Sequence, residues 1–204
     1  MIQAVASSVR ERVIVGEFPP GTQLREIELA QEYGVARPTI RAALQQLALT
    51  GLLRREANRS AFVPELSAED VGDLYTARRL IETEVVHRLM KAETQLAGAR
   101  QALSRLERFS EDASWSDVVE ADLDFHRALT EAAGSPRLLR LFELLGDEIR
   151  LAIAQLRSTY ASPADLAREH RRLLTVIEAG QPAEAIRLMQ QHLDQAVSDL
   201  TKSR

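Results

Sequence analysis

The 204-residue chain contains no cysteine. That absence removes disulfide frameworks, thiol catalysis and every Cys-ligated zinc or iron–sulfur site, so a metal could be held only by His, Asp or Glu. No apolar run approaches the roughly 20 residues that span a bilayer. The segment after Met1 also lacks the basic-then-apolar pattern of a secretory signal, so a soluble, cytoplasmic protein with no membrane partner is expected. Basic charge is in deficit as well: 26 Lys+Arg face 30 Asp+Glu, a formal net charge of −4. Spread evenly, that charge would argue against nucleic acid, because phosphate binding draws on Lys and Arg. Internal repeats and low-complexity tracts are missing too. What the chain does have is 45% hydrophobic residues, enough to bury the core of one or two domains.

The charge is not evenly spread. Residues 1–65 hold 8 basic and 7 acidic side chains, and the remainder holds 18 and 23. Between Ala36 and Ser60, Arg37, Arg41, Arg54, Arg55 and Arg59 stand against Glu56 alone. Four of the seven Pro also fall in the first 65 residues, whereas the rest is rich in Ala, Leu, Arg and Glu. The pattern implies a compact mixed domain over 1–65 followed by a helical domain over 66–204.

In the first domain, Ile2, Val5, Val9 and Val13 recur at helical intervals before Gly16, predicting a helix with Gly just past its end. Phe18-Pro19-Pro20-Gly21 is a turn, and Leu24 to Tyr33 reads as a second helix closed by Gly34. A third helix spans Val35 to Leu49, with Pro38 in its first turn, where a missing N–H costs least. Ile40, Leu44 and Leu47 form its inward stripe, which leaves Arg37, Arg41 and Gln45 on an outward face. Leu52 to Arg55 and Ala61 to Val63 read as the strands of a hairpin around the polar loop Glu56 to Ser60. Two helices joined by a tight Gly turn, the second displaying Arg, are how a helix-turn-helix offers side chains to the major groove, and a basic hairpin beside it can track phosphates. The same Arg pair is also compatible with a merely solvated face.

From Ser67 onward the marks are helix starts and stops, including Ser67 with Asp70, Ser135-Pro136, Ser162-Pro163, Gly134 and Gly180. They divide the second domain into about six helices, 68–92, 95–110, 115–133, 136–159, 163–179 and 182–201, joined by the short connections of an antiparallel bundle. Asp122 and His126 lie four apart on one of them, and His170 and His192 lie mid-helix on two others. One carboxylate and three imidazoles from three helices suit Zn²⁺, Ni²⁺ or Mn²⁺ without thiolates. Isolated core or surface histidines, and a simple Asp122–His126 pair, are the plainer alternative.

Two stretches carry a family resemblance. Gly16-Glu17-Phe18-Pro19-Pro20-Gly21-Thr22-Gln23-Leu24, Glu26, Leu29-Ala30, Tyr33-Gly34-Val35, Ala36-Arg37-Pro38-Thr39-Ile40-Arg41-Ala42-Ala43-Leu44 and Gly51-Leu52-Leu53 resemble the winged helix-turn-helix of GntR-family transcriptional regulators. The resemblance implies that Arg37 and Arg41 contact DNA from the recognition helix, with Pro38 and Thr39 near the backbone and Arg59 in the wing. Ala36 stands where the family usually has a Ser, Ile27 where many relatives have an Arg, and Ser60 where a wing glycine is common; these departures bear on operator sequence and affinity. Asp122 to Leu129, Ala132 to Leu138, Glu169-His170 and His192-Leu193 look like the FCD-type helical effector domain of the FadR subgroup. That resemblance implies a divalent metal, zinc foremost, on Asp122, His126, His170 and His192, with a small carboxylate as further ligand. Arg78-Arg79-Leu80-Ile81-Glu82 resembles a family segment whose first Arg faces the cavity, so Arg78, and more weakly Arg150, are candidates for the effector carboxylate. Pairing of Arg78 with Glu82 at i,i+4 is the alternative.

The expected fold is therefore mainly α: a winged helix-turn-helix of three helices and a β-hairpin, followed by an all-α antiparallel bundle. The expected function is a ligand-responsive, DNA-binding transcriptional repressor acting as a homodimer on operator DNA. A metal-dependent enzyme of the bundle, or a metal-free ligand-binding or dimerisation bundle, is the competing expectation. The absence of an additional well-placed general base and the presence of the N-terminal domain weigh against the enzyme.

Overall fold

The computed structural model describes residues 1–56, 60–91, 95–155 and 162–201. Contacts divide the chain into two compact units, Met1–Ser67 with Leu144–Gln155, and Ala68–Glu143 with Leu156–Arg204.

The first unit contains α1 (Ile2–Ile14), β1 (Gln23–Leu24), α2 (Glu26–Tyr33), α3 (Arg37–Leu49) and β2 (Ala61–Phe62). The buried face of α1, Val5, Val9 and Val13, packs on Ile40, Ala43, Leu44 and Leu47 of α3. Each such aliphatic side chain contributes about 1.5–3 kcal/mol when removed from water. Leu24, Leu29, Leu52, Leu53, Ala61 and Val63 complete this core.

The hairpin differs from expectation. Leu24 is not the start of α2. It lies in β1, which pairs antiparallel with β2 in the register Gln23 to Phe62 and Leu24 to Ala61. The expected strand Leu52 to Arg55 contributes only a bridge, in which Arg54 and Phe62 exchange backbone hydrogen bonds of 2.9 Å each way. On the other side of that segment Val63 N–H donates to the Thr22 carbonyl at 3.0 Å and Gly21 N–H to the Val63 carbonyl at 2.8 Å. The backbone groups of 61–63 are thus shared between two neighbours, and the 22–24 segment is drawn into the sheet rather than into the helix.

Leu144–Gln155, the C-terminal part of α7 (Pro136–Gln155), belongs to this unit. Its Asp147, 4% exposed, accepts from Arg10 Nε at 2.6 Å, Arg10 Nη2 at 3.1 Å and Thr50 Oγ1 at 2.5 Å. A buried carboxylate is tolerated because its oxygens are occupied by donors, one of them cationic.

The second unit is helical: α4 (Ala68–Leu89), α5 (Ala97–Leu106), α6 (Trp115–Ala132), the start of α7, α8 (Pro163–Glu178) and α9 (Pro182–Thr201). Its main helix pairs are α4 with α9 and α5 with α6. Ser162 caps α8 through a hydrogen bond from Asp165 N–H at 3.2 Å, and Gly134, with φ of 68°, supplies the left-handed residue after α6. On α4 the inward stripe reads Val71, Leu74, Tyr75, Arg78, Glu82, Val85, Val86, Leu89, so two charged residues occupy core positions. On α6 and α8 the same happens at Asp122, His126 and His170. Polar groups placed on the buried stripes of several helices mark the site.

Candidate metal centre and nucleic-acid interface

The helix-turn-helix is built from α2, a turn and α3. Gly34, at φ 63°, ends α2 and lets Val35 N–H reach the Ala30 carbonyl at 3.1 Å. Extended Ala36 then starts α3 without a side-chain cap, as expected for an Ala in place of a hydroxyl residue. With Ile40, Ala43, Leu44 and Leu47 buried, Arg37, Pro38, Arg41 and Gln45 are exposed and Thr39 is half-buried. The Arg41 guanidinium does not stand alone. Glu26, in the first turn of α2, accepts from its Nε at 3.1 Å and its Nη2 at 2.8 Å, and lies 3.5 Å from Arg55 Nη2 and 4.0 Å from Arg37 Nη2. The hydrogen bond from Arg41, outweighing partial burial, holds the Glu26 carboxyl below its usual range, and the charges of Arg41, Arg55 and Arg37 add to it. Arg59 lies outside the described residues.

The metal-ligand candidates converge. Asp122 and His126 stand one turn apart on the buried face of α6, His170 on α8 and His192 on α9, and one ligand atom from each lies within 4.8 Å of all the others. Their side chains are 3%, 0%, 0% and 8% exposed. His126 Nε2 is 3.2 Å from both His170 Nε2 and His192 Nε2, and His170 Nε2 is 3.0 Å from Asp122 Oδ1. Phe125 meets the His170 ring edge-on at 4.6 Å and the His126 ring at 5.6 Å, so it serves as core packing that orients both imidazoles.

The outward nitrogens explain why the inner ones face each other. His170 Nδ1–H donates to the Leu166 carbonyl at 2.7 Å, His192 Nδ1 meets Glu169 Oε2 at 3.0 Å, and His126 Nδ1 faces Glu82 Oε2 at 2.5 Å. In the tautomer that carries its hydrogen on Nδ1, each ring offers its Nε2 lone pair toward the Asp122 carboxylate. Asp122 Oδ1 accordingly satisfies no hydrogen bond among the described residues. Four acceptors this close require a proton or a cation among them. The donor set fits a divalent metal, with three imidazole nitrogens and one carboxylate.

The electrostatics agree. Burial pushes the Asp122 carboxyl up, but His170 and the other imidazoles outweigh it and hold that carboxyl well below its usual range. Burial lowers His170, and Asp122 with the Leu166 carbonyl more than restores it, so its pKa lies above the usual value. Burial, together with the charges of His170 and His126, lowers His192 to about 4 against the opposing pull of Glu169. Sequence reasoning did not assign Glu82 and Glu169 as partners of the histidines. The signal was available for Glu82, which occupies an inward position of α4.

Arg78 is 1% exposed and donates from Nε to Glu82 Oε1 at 2.8 Å, the i,i+4 pair expected as one of two outcomes. Burial opposes the Glu82 charge, yet Arg78 and His126 hold its carboxyl at about 2. The pair leaves Arg78 Nη2 satisfying no hydrogen bond among the described residues, and the Tyr75 hydroxyl, whose ring lies 4.8 Å beneath the guanidinium, likewise. Arg150 belongs to the first unit, where its Nη1 lies 3.5 Å from Asp147 Oδ1. Asp124 points away from the centre and meets Arg105 at 3.1 Å. His87 is exposed, and Trp115 packs against the Leu106, Val118, Ala121, Leu166 and Ala167 cluster. A surface cavity of about 450 Å³ opens beside His192, lined also by Glu169, Arg172 and Asp194.

Comparison with known proteins places these features. Residues 1–63 match the model for "Bacterial regulatory proteins, gntR family", and residues 73–195 match the FCD domain. The chain belongs to the GntR family of transcriptional regulators and carries an FCD domain. Among curated relatives, the "Probable D-xylose utilization operon transcriptional repressor" of Paenarthrobacter nicotinovorans is 29% identical over 196 residues, 93% of this chain and 85% of that protein. The HTH-type transcriptional repressor RspR of Escherichia coli (strain K12) is 25% identical over 205 residues, 99% and 90% of the two chains. Among solved structures, a GntR transcriptional regulator from Rhodococcus sp. RHA1 superimposes with a TM-score of 0.87 at 28% identity, covering 100% of this chain and 98% of that one. The family consists of transcription regulators that bind operator DNA rather than enzymes, and no described helix is long and apolar enough to cross a membrane.

Proposed function

We propose that this regulator is a cytoplasmic, homodimeric repressor whose FCD domain binds one divalent metal, zinc foremost, and a small carboxylate effector that alters operator affinity. The observation that carries the reading is the convergence of Asp122 and three imidazole Nε2 atoms whose opposite nitrogens are all turned outward to oxygen partners. Asp122, His126, His170 and His192 would hold the metal, which supplies an open position for an anionic ligand. The buried Arg78, with Nη2 unspent, provides a second fixed positive charge for the effector. Residues 1–65 would form the DNA-binding domain, in which Arg37 and Arg41 contact DNA from the recognition helix, Pro38 and Thr39 lie near the backbone and Arg59 contributes from the wing. Residues 66–204 form the effector and dimerisation domain.

A single winged helix with so few cations binds weakly, and two in register on a palindrome multiply the effect. Exposed leucines such as Leu80 on α4, 73% exposed, and Leu141 on α7, 49% exposed, supply apolar surface that a second copy would cover. Coupling between effector and operator in such systems is about 1–3 kcal/mol. The test is fluorescence anisotropy on a duplex enriched from a randomised pool by the full-length protein, with zinc and a panel of di- and tricarboxylates. A two-fold or greater, zinc-dependent change in affinity by at least one carboxylate supports the reading; affinity indifferent to zinc and to the whole panel opposes it.

A further inference from the structure

An acidic residue bound to the arginines that face DNA looks counterproductive. Glu26 sits at the start of α2 with its side chain 16% exposed and accepts two hydrogen bonds from one edge of the Arg41 guanidinium. A guanidinium has five N–H donors in a rigid fork. Glu26 occupies the Nε edge and the adjacent hydrogen of Nη2, and among the described residues no hydrogen bond takes up the end-on edge, Nη1 with the remaining hydrogen of Nη2. That end-on pair is one of the two N–H forks with which Arg can meet guanine O6 and N7, and the one Glu26 leaves for it. The same carboxylate lies within 3.5 Å of Arg55 and 4.0 Å of Arg37, so it offsets one of three neighbouring positive charges.

Resting on the reading that Arg41 touches DNA, we infer that Glu26 is a positioning residue that fixes Arg41 for one guanine per half-site and restrains phosphate binding by the Arg37, Arg41 and Arg55 cluster. It thereby sets sequence discrimination rather than overall affinity. A freely rotating Arg41 would satisfy itself on any nearby phosphate, which positions a protein on DNA without reading sequence. Tied to Glu26, it keeps one presented edge and loses part of its attraction for the backbone. The carboxylate itself is held by the positive end of α2 as well as by the arginines.

Full-length wild-type, R41A, E26A and E26Q proteins are each used to select from a randomised duplex pool, and each is titrated against a duplex of scrambled sequence over a salt series. The wild type is expected to enrich a guanine that R41A does not. In E26A the preference for that guanine falls about tenfold, the loss of a well-formed bidentate contact. Its affinity for the scrambled duplex rises, and the log–log salt slope steepens by about 0.9, equivalent to one added phosphate contact. E26Q keeps an acceptor oxygen without the charge, so it recovers part of the guanine preference while retaining the steeper slope. Circular dichroism establishes that each variant is folded; should E26A fail to fold, the slope and preference of E26Q carry the test. Wild-type guanine preference or a wild-type salt slope in a folded E26A overturns the proposal. R41A enriching the wild-type sequence overturns the reading of Arg41 itself and is distinguishable, because it appears without reference to Glu26.

Discussion

His126 on α6 and His192 on α9 stack with ring centroids 5.2 Å apart and planes at 21°, and their Nε2 atoms approach to 3.2 Å. Neither ring is free to turn away, since Glu82 faces Nδ1 of the first and Glu169 Nδ1 of the second. Two carboxylates from different helices thus hold two imidazoles in an arrangement that is favourable only with positive charge between them. Such outer partners commonly change metal affinity by about 10- to 100-fold. Glu82→Gln and Glu169→Gln are each expected to weaken zinc binding within that range, measured by competition with a chromophoric chelator. Unchanged affinity in both variants would show that the outward contacts are incidental.

Arg78 gives a second expectation. In a thermal-shift screen of organic acids run with and without zinc, at least one carboxylate should raise the melting temperature of the metal-loaded protein and fail to do so for Arg78→Met. A ligand at 100 times its dissociation constant stabilises by about 2.7 kcal/mol, which for a chain of this size is roughly 5–10 °C. Because Glu82 loses its partner in Arg78→Met, Arg78→Met with Glu82→Gln serves as the folded control, at zinc concentrations that saturate both proteins. Equal carboxylate stabilisation of wild type and double variant would remove Arg78 from the effector site.

On the DNA side, Arg41→Ala should abolish specific binding to the duplex enriched by the wild type while leaving weak, salt-sensitive binding to scrambled DNA. Anisotropy at fixed salt checks this, and operator affinity equal to that of the wild type would place recognition elsewhere on the unit.

The Glu26 cluster also predicts a pH dependence of stability. The folded-state carboxyl lies below its unfolded value, near 4.3, chiefly through the hydrogen bond from Arg41. Its contribution is therefore complete above about pH 4.3 and is lost as pH falls through the lower, folded value. The charged groups that face it are the guanidinium groups of Arg37, Arg41 and Arg55. Melting temperature followed from pH 6 to pH 3 should converge for wild type and Glu26→Gln as acid protonates the wild-type carboxyl. A difference between the two proteins that does not shrink in acid would mean that Glu26 stabilises by shape rather than charge.

Much of this was legible in residue order, and the failures have physical causes. The α3 stripe Ile40, Leu44 and Leu47 follows from helical periodicity, a local property, whereas periodicity offers only the Asp122–His126 pair and two mid-helix histidines, and it is the family resemblance that joins Asp122, His126, His170 and His192 into one set. Leu24 was misread because a Leu before an acidic first turn suits a helix start as well as a strand, and the choice was made by Ala61 and Phe62, almost 40 residues away. Glu26 and Glu169 were visible as acidic residues but not as partners, since their roles depend on which arginine or histidine another helix brings to them. The burial of Asp147 against Arg10 and Thr50 is equally non-local; nothing in the stretch 144–155 announces that it packs with the first 67 residues.

The metal centre is tested most directly by zinc stoichiometry. Full-length wild-type protein and His170→Ala/His192→Ala are stripped with chelator, dialysed against zinc and analysed by elemental mass spectrometry alongside their melting curves. The expected result is one zinc per chain in the wild type with a raised melting temperature, and neither in the double variant. A wild-type protein that takes up no zinc or nickel after reconstitution, or a double variant that retains a full equivalent, would contradict the assignment of Asp122, His126, His170 and His192 as the metal site.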